Sequence, residues 1–246
     1  MIGNSRFACL TYHVIGEGRN QYTVGRQILC DHMAFLKGEG FTAEGFDGLE
    51  TRLRSGQALP ERYAIVTLDD GDESSLCAAD VLAAYGCGAT FFLTRDRSEK
   101  KSRFIQRPEI RELRRRGFSL GTHGATHQKL TFLPEHRCLA ELVESKQWLE
   151  DVTGEAVRYW AAPGGYVNRR VRRLAEAQGY VLTGTCREWM NTPGTCALPA
   201  GVNRVNIRQG FGLAQIRKIV YGDRGFYLKR QMRAAALYLP KQLMRN

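Results

Sequence analysis

The run Ala64-Ile65-Val66-Thr67-Leu68-Asp69-Asp70-Gly71 ends an apolar segment on two adjacent carboxylates and a glycine. Burying two negative charges side by side is costly unless a cation or protons compensate. Asp and Gly are also ordinary turn formers, so the stretch by itself fits a solvated turn. Further along, Gly121-Thr122-His123-Gly124-Ala125-Thr126-His127 holds two of the chain's five histidines at i, i+4. Imidazoles so spaced converge where the backbone is helical or tightly turned, as in other His-x-x-x-His metal sites. A carboxylate joined to two histidines leaves coordination positions open for water and substrate, which is the arrangement of a catalytic metal.

Such residues need a frame that brings them together. Short β-type runs alternate with helical patterns along most of the chain. Strands are expected over Phe7 to His13, Tyr63 to Leu68, Ala89 to Leu93, Phe118 to Gly121, Tyr159 to Ala162 and Tyr180 to Thr185, with a strand-like run at Val202 to Ile207. Helices are expected over Val24 to Lys37 (Val24, Ile28, Phe35 and Leu36 on one side), Leu76 to Tyr85, Pro108 to Arg116, Pro134 to Thr153 and Val167 to Gln178. This rhythm predicts an α/β fold with a parallel sheet wrapped by helices, either a barrel or a doubly wound sheet. In both, chemistry gathers at the C-terminal ends of the strands. His13, Asp69, Asp70, the His123 segment and the Ala162-Pro163-Gly164-Gly165 loop all fall at such ends.

The 246 residues, 43% of them apolar, suffice for one large domain with a sizeable core. No stretch of 18 apolar residues suggests a membrane span, and the N-terminus lacks the pattern of a secretory signal, so a cytoplasmic protein is expected. Seven scattered cysteines without a C-x-x-C pair fit small core residues in a reducing compartment. The net charge of +11 favours an anionic partner. Nucleic acid is disfavoured, because no recognised nucleic-acid motif accompanies the charge.

The order T-L-D-D-G, H-G-A-T-H, A-P-G-G-Y resembles the polysaccharide deacetylases with a NodB-homology domain (carbohydrate esterase family 4), with L-T-Y-H and A-T-F-F-L adding to the likeness. The resemblance implies a distorted (β/α) barrel of about seven parallel strands. It also implies that Asp70, His123 and His127 bind a divalent metal, usually zinc, with nickel, cobalt or manganese as alternatives. Asp69 would be the general base, and a backbone N–H at Gly164 would help to stabilise the oxyanion. Separate duties for the two carboxylates make chemical sense, since a carboxylate on the metal is not a free base.

Two family features are missing. The arginine of the usual R-P-P-Y-G motif, which pairs with the base, corresponds to Ala161; Arg204 and Arg158 are candidates to replace it. No histidine follows His136, so the late Leu-x-His acid is absent too. One branch of the family uses an N-terminal Tyr-His instead, and L-T-Y-H resembles it, which makes His13 the expected general acid. His32 and His136 lie in helical patterns and are read as structural.

Residues 1–222 are thus expected to form the barrel domain and residues 223–246 a basic amphipathic helix. From Arg217 to the end there are eight Lys or Arg and one acid, Asp223. Leu228, Met232, Ala235 and Leu239 recur at helical spacing, with Lys229, Arg230 and Arg233 on the opposite side. Such a helix either packs its apolar side on the barrel or lies on an anionic membrane surface. The expected activity is removal of an N-acetyl group from an N-acetylhexosamine unit of a glycan or lipid-linked sugar, at the inner membrane face. The alternatives are an O-acetyl esterase and an inactive NodB-like module that binds anionic glycan.

Overall fold

The structure is a computed structural model that describes residues 6–196 and 199–243, with side chains described except at 195–196 and 234–243. Its strands are β1 (Ala8–Tyr12), β2 (Val14–Ile15), β3 (Thr23–Val24), β4 (Thr42–Glu44), β5 (Tyr63–Asp70), β6 (Thr90–Leu93), β7 (Ser119–Thr122), β8 (Tyr159–Ala161), β9 (Leu182–Thr185), β10 (Ala200–Asn203) and β11 (Val205–Asn206). Its helices are α1 (Arg26–Gly38), α2 (Phe46–Ser55), α3 (Ser75–Ala84), α4 (Arg95–Lys100), α5 (Arg107–Arg115), α6 (Glu135–Thr153), α7 (Arg169–Ala177), α8 (Leu213–Val220) and α9 (Arg224–Leu243).

The main sheet is parallel throughout, in the order β10-β9-β8-β7-β6-β5-β1-β11, with β4 added on β5. Arg204 alone separates β10 from β11. One interrupted strand therefore pairs with β9 through its first half and with β1 through its second, and so closes a distorted (β/α) barrel.

Strand alternation sorts the side chains. Along β5, Val66 and Leu68 join the layer between sheet and helices, while Tyr63 and Ile65 join the cluster inside the barrel. The same inward phase continues through Thr67 to Asp69. The first strand repeats it, with Phe7 and Cys9 in the inner cluster and Thr11 hydrogen-bonded to Thr67 (3.0 Å) before His13. In the closing strand, Ala200 and Val202 lie inside and Arg204 follows. The barrel interior thus rises from an apolar plug, through hydroxyls, to charged groups at the C-terminal end.

Several sequence expectations need adjustment. β5 runs two residues past Leu68, so Asp69 and Asp70 belong to the strand rather than to a turn. The stripe of α1 that enters the core is Leu29, His32, Met33 and Leu36, whereas Ile28 is 38% exposed. The i, i+4, i+7 row starting at Leu29 competes with the one at Ile28, and packing against the sheet selects it. His32 is held by Tyr12 Oη at Nδ1 (3.0 Å) and by the Phe211 carbonyl at Nε2 (2.9 Å), and burial lowers its pKa to about 4. His136 is exposed on α6. β4, α2, α4 and α8 had no distinct signal. β4 is three residues long, and α2 carries Gly48 and few apolar residues.

Candidate active site

Asp69 and Asp70 stand together at the end of β5 but differ in surroundings. Asp69 is 2% exposed and faces Arg204, which is fully buried. Arg204 Nη1 donates to Asp69 Oδ1 (2.7 Å) and Nη2 to Oδ2 (2.9 Å), a fork on a fork. Burial pushes the Asp69 carboxyl up, but the Arg204 charge, with His123 behind it, outweighs this and holds it below the usual range. Gly184 makes room for that guanidinium, since a Cβ there would lie 2.7 Å from Arg204 Nε. Arg158, the other sequence candidate, is excluded. It precedes β8 at the opposite end of the barrel and binds Glu50, its Nε donating to Oε2 at 3.0 Å.

Asp70 turns outward with φ +81°, and His127 has φ +66°. They are the only non-glycine residues in the left-handed region among the described residues. Strain of this kind persists where the surroundings impose it, typically at functional sites. Asp70 Oδ1 lies 3.1 Å from His127 Nε2 and 3.6 Å from His123 Nε2. The His-x-x-x-His segment is a loop, not a helix: it follows β7 and turns through Gly124 at φ +78°. Buried Glu141 on α6 pins the turn, its Oε2 accepting from the N–H groups of Ala125 (2.8 Å) and Thr126 (2.9 Å). Nothing in the local sequence marks Glu141 for this duty.

The donor set fits a divalent cation. One ligand atom from each of Asp70, His123 and His127 lies within 4.8 Å of the others. Ligands of a tetrahedral zinc with bonds of about 2.0–2.1 Å sit roughly 3.3 Å apart, close to the two Asp70–histidine distances. His123 Nδ1 donates to the Ala161 carbonyl (2.9 Å), which fixes the tautomer and leaves a lone pair on Nε2. Burial lowers the His123 pKa to about 4, so the imidazole is neutral, as a ligand must be. Asp70 Oδ1 is buried without a hydrogen bond of acceptable geometry, although Arg97 Nη1 lies 2.5 Å away. Arg97, which also covers the Phe104 ring at 5.3 Å, escaped the sequence reading.

His13 stacks on Tyr22 (4.7 Å between centroids) with its Nδ1 buried and unpartnered. Burial lowers its pKa, while the charges of Asp69 and Asp70 act the other way. Gly164 sits at φ +69° in the Pro163–Gly165 turn after β8, where Lys129 packs beside it. Gly165, at φ +76°, is more constrained, since a Cβ there would press on the Cβ and Sγ of Cys186 and lie 2.6 Å from its backbone N. Gly165→Ala should therefore destabilise the fold by about 1–3 kcal/mol, and Gly164→Ala by less, because only a flexible lysine opposes it. Thermal melts of both variants check the order; equal melting points would contradict it.

A family model described as polysaccharide deacetylase matches residues 56–183, more than half of the chain. The chain belongs to the polysaccharide deacetylase family. Its relatives include the Bacillus subtilis (strain 168) protein YxkH, whose name assigns it to the same group. It is 24% identical over 210 residues, which cover 84% of this chain and 73% of YxkH. The peptidoglycan-N-acetylglucosamine deacetylase of Bacillus cereus (strain ATCC 14579) is 24% identical over 148 residues, covering 59% of this chain and 66% of that protein. Among solved structures, the Streptococcus pyogenes deacetylase PplD, in complex with acetate, superposes with a TM-score of 0.80 at 18% identity, covering 89% of this chain and 99% of that one. The deacetylase segment matched by the family model contains Asp69, Asp70, His123, His127 and Gly164, whereas His13 and Arg204 lie outside it.

Proposed function

We propose that the chain is a metal-dependent N-deacetylase that removes the acetyl group from an N-acetylhexosamine unit of a surface glycan or its precursor. The observation that carries this reading is the buried Asp69–Arg204 fork beside the Asp70, His123 and His127 trio. A binding module that had lost its chemistry would have no use for an ionised carboxylate held under the barrel rim.

In this reading Asp70 Oδ1 and the two Nε2 atoms hold the cation, zinc by preference. A bound cation would polarise the acetyl carbonyl and make a nearby water more acidic. Asp69 takes the proton of that water. Its carboxylate has about four lone-pair sites, of which the Arg204 fork uses two. Asp69 Oδ2 is 3.9 Å from His123 Nε2, so the free lone pairs lie next to the trio. The Gly164 backbone N–H is assigned to the developing oxyanion. His13 gives its proton to the departing amine, a duty that an amide imposes more strongly than an ester, since an amine anion is a very poor leaving group.

Acetate release from N-acetylated and O-acetylated oligosaccharides, measured with metal content, tests the reading. The wild type should release acetate from the N-acetyl donor and lose this on chelation, and His123→Ala should lose bound metal. His13→Ala should keep metal and lose turnover by about 10²–10³-fold, as expected when a positioned acid is removed. Release from the ester alone would transfer the reading to an O-acetyl esterase. Metal-free protein with no release from either donor would leave a glycan-binding module.

A further inference from the structure

The last helix presents the wrong face to water. The aromatic side of α9 is the one that packs on the barrel. Buried Tyr227 donates to the Ile219 carbonyl (3.0 Å) and meets Trp189 edge-on at 5.5 Å. Arg230 pairs with Glu188 and covers the rings of Phe211 (5.3 Å) and Phe226 (5.5 Å). Spacing places Arg230 with Lys229 and Arg233 opposite the apolar row, and the structure turns Arg230 onto the barrel. Leu228 and Met232, at i, i+4 on the other side, remain 51% and 65% exposed. Arg224 continues their row, and exposed Lys229 and Arg233 form the adjacent one. Ala235 and Leu239, which extend the apolar spacing, lie outside the described side chains.

The direction of the helix matters as well. Tyr227 lies against Met190, one residue from Asn191, which bridges to Phe7 at the start of the barrel strands. Arg230 lies against Glu188 and Phe211, in the loops that leave the C-terminal ends of β9 and β11. The helix therefore climbs toward the catalytic end, and 13 residues follow Arg230 before it ends at Leu243.

We propose that the outward face of α9 docks on an anionic lipid bilayer and brings the catalytic end of the barrel to its surface. Apolar side chains left uncovered on a helix call for a partner. Here they stand beside cations, and the helix segment has no acidic residue at all. A second copy of the chain would set two such basic helices against each other, in a molecule already at +11. An anionic bilayer complements both the charge and the apolar row. Among the described residues no helix is long and apolar enough to cross a membrane, so α9 lies along the surface. If the chain is the N-deacetylase proposed above, a substrate reached this way is an acetylated sugar on a lipid carrier; this consequence rests on that reading, whereas the docking does not.

Co-sedimentation of the full chain with vesicles of phosphatidylcholine alone, or with about a third phosphatidylglycerol, tests the docking. Binding to the anionic vesicles only is expected, weakening as salt rises. Leu228→Glu/Met232→Glu and Lys229→Glu/Arg233→Glu should each lower the partition coefficient at least tenfold. Circular dichroism should show the wild-type fold, and acetate release from a soluble N-acetylated oligosaccharide should be unchanged. Absence of wild-type binding, or equal binding by both variants, overturns the proposal. So does a wild-type dimer by light scattering that Leu228→Glu/Met232→Glu makes monomeric without any vesicle binding, since a second copy then covers the face. Vesicle binding without acetate release from any donor would sink the deacetylase reading and leave the docking intact.

Discussion

Asp69→Asn is expected to keep its metal and to lose acetate release by roughly 10²–10⁴-fold, the usual contribution of a positioned base. The asparagine amide keeps the shape of the carboxylate and one acceptor for Arg204, but it cannot take a proton from water. Metal content should be unchanged, because Asp70, His123 and His127 form the trio and Asp69 stands outside it. Stability should fall, since the buried Arg204 charge loses its counter-ion. Assays well below the melting temperature, with metal measured on the same samples, separate the two effects. Turnover near the wild-type level would refute the assignment of Asp69 as base.

Arg204→Met should have the larger effect on folding. It leaves Asp69 2% exposed and without its main partner, and breaking a buried pair from one side costs about 3–5 kcal/mol. Arg204→Met/Asp69→Asn should recover part of that loss, because the stranded carboxylate is then gone. The pH behaviour follows with a definite sign. In the wild type the Asp69 pKa is depressed, so its contribution to stability is present above the unfolded carboxylate range and is lost as pH falls through the folded value. Without Arg204, burial pushes the pKa up instead. The base then stays protonated to higher pH, and the acid limb of kcat/KM moves upward. Urea melts and a pH–rate profile check both halves; an unmoved acid limb in a folded variant would show that Arg204 does not tune the base.

The apolar run of β5 and the i, i+4 histidines were legible because they are local patterns. So were the strand ends, which follow from the βα rhythm and the parallel sheet it demands. Arg204 was harder, because its pairing with Asp69 spans 135 residues and depends on how the barrel closes. Strand polarity alone could have removed Arg158, since a residue preceding β8 falls at the apolar end. Glu141 and Arg97 gave no signal, as each meets its partner only where helix packing brings it, Glu141 from α6 onto the loop after β7 and Arg97 from α4 onto Asp70. The outward face of α9 stayed open in the sequence because spacing defines two sides of a helix without saying which one the barrel takes. Tyr227 and Arg230, with aromatic and acidic partners waiting on the 186–190 segment, decide it.

The interrupted strand at 200–206 has a consequence for how the enzyme comes into being. Asp69, Asp70, His123 and His127 all precede Arg204 by more than 70 residues, and the same short stretch that supplies Arg204 to Asp69 also seals the ring. A nascent or truncated chain ending before residue 200 would hold the four residues of the two metal motifs, yet its Asp69 would face an open seam, solvated and unoriented. Closure of the ring and the orientation of Asp69 thus arrive together, on the last strand of the barrel.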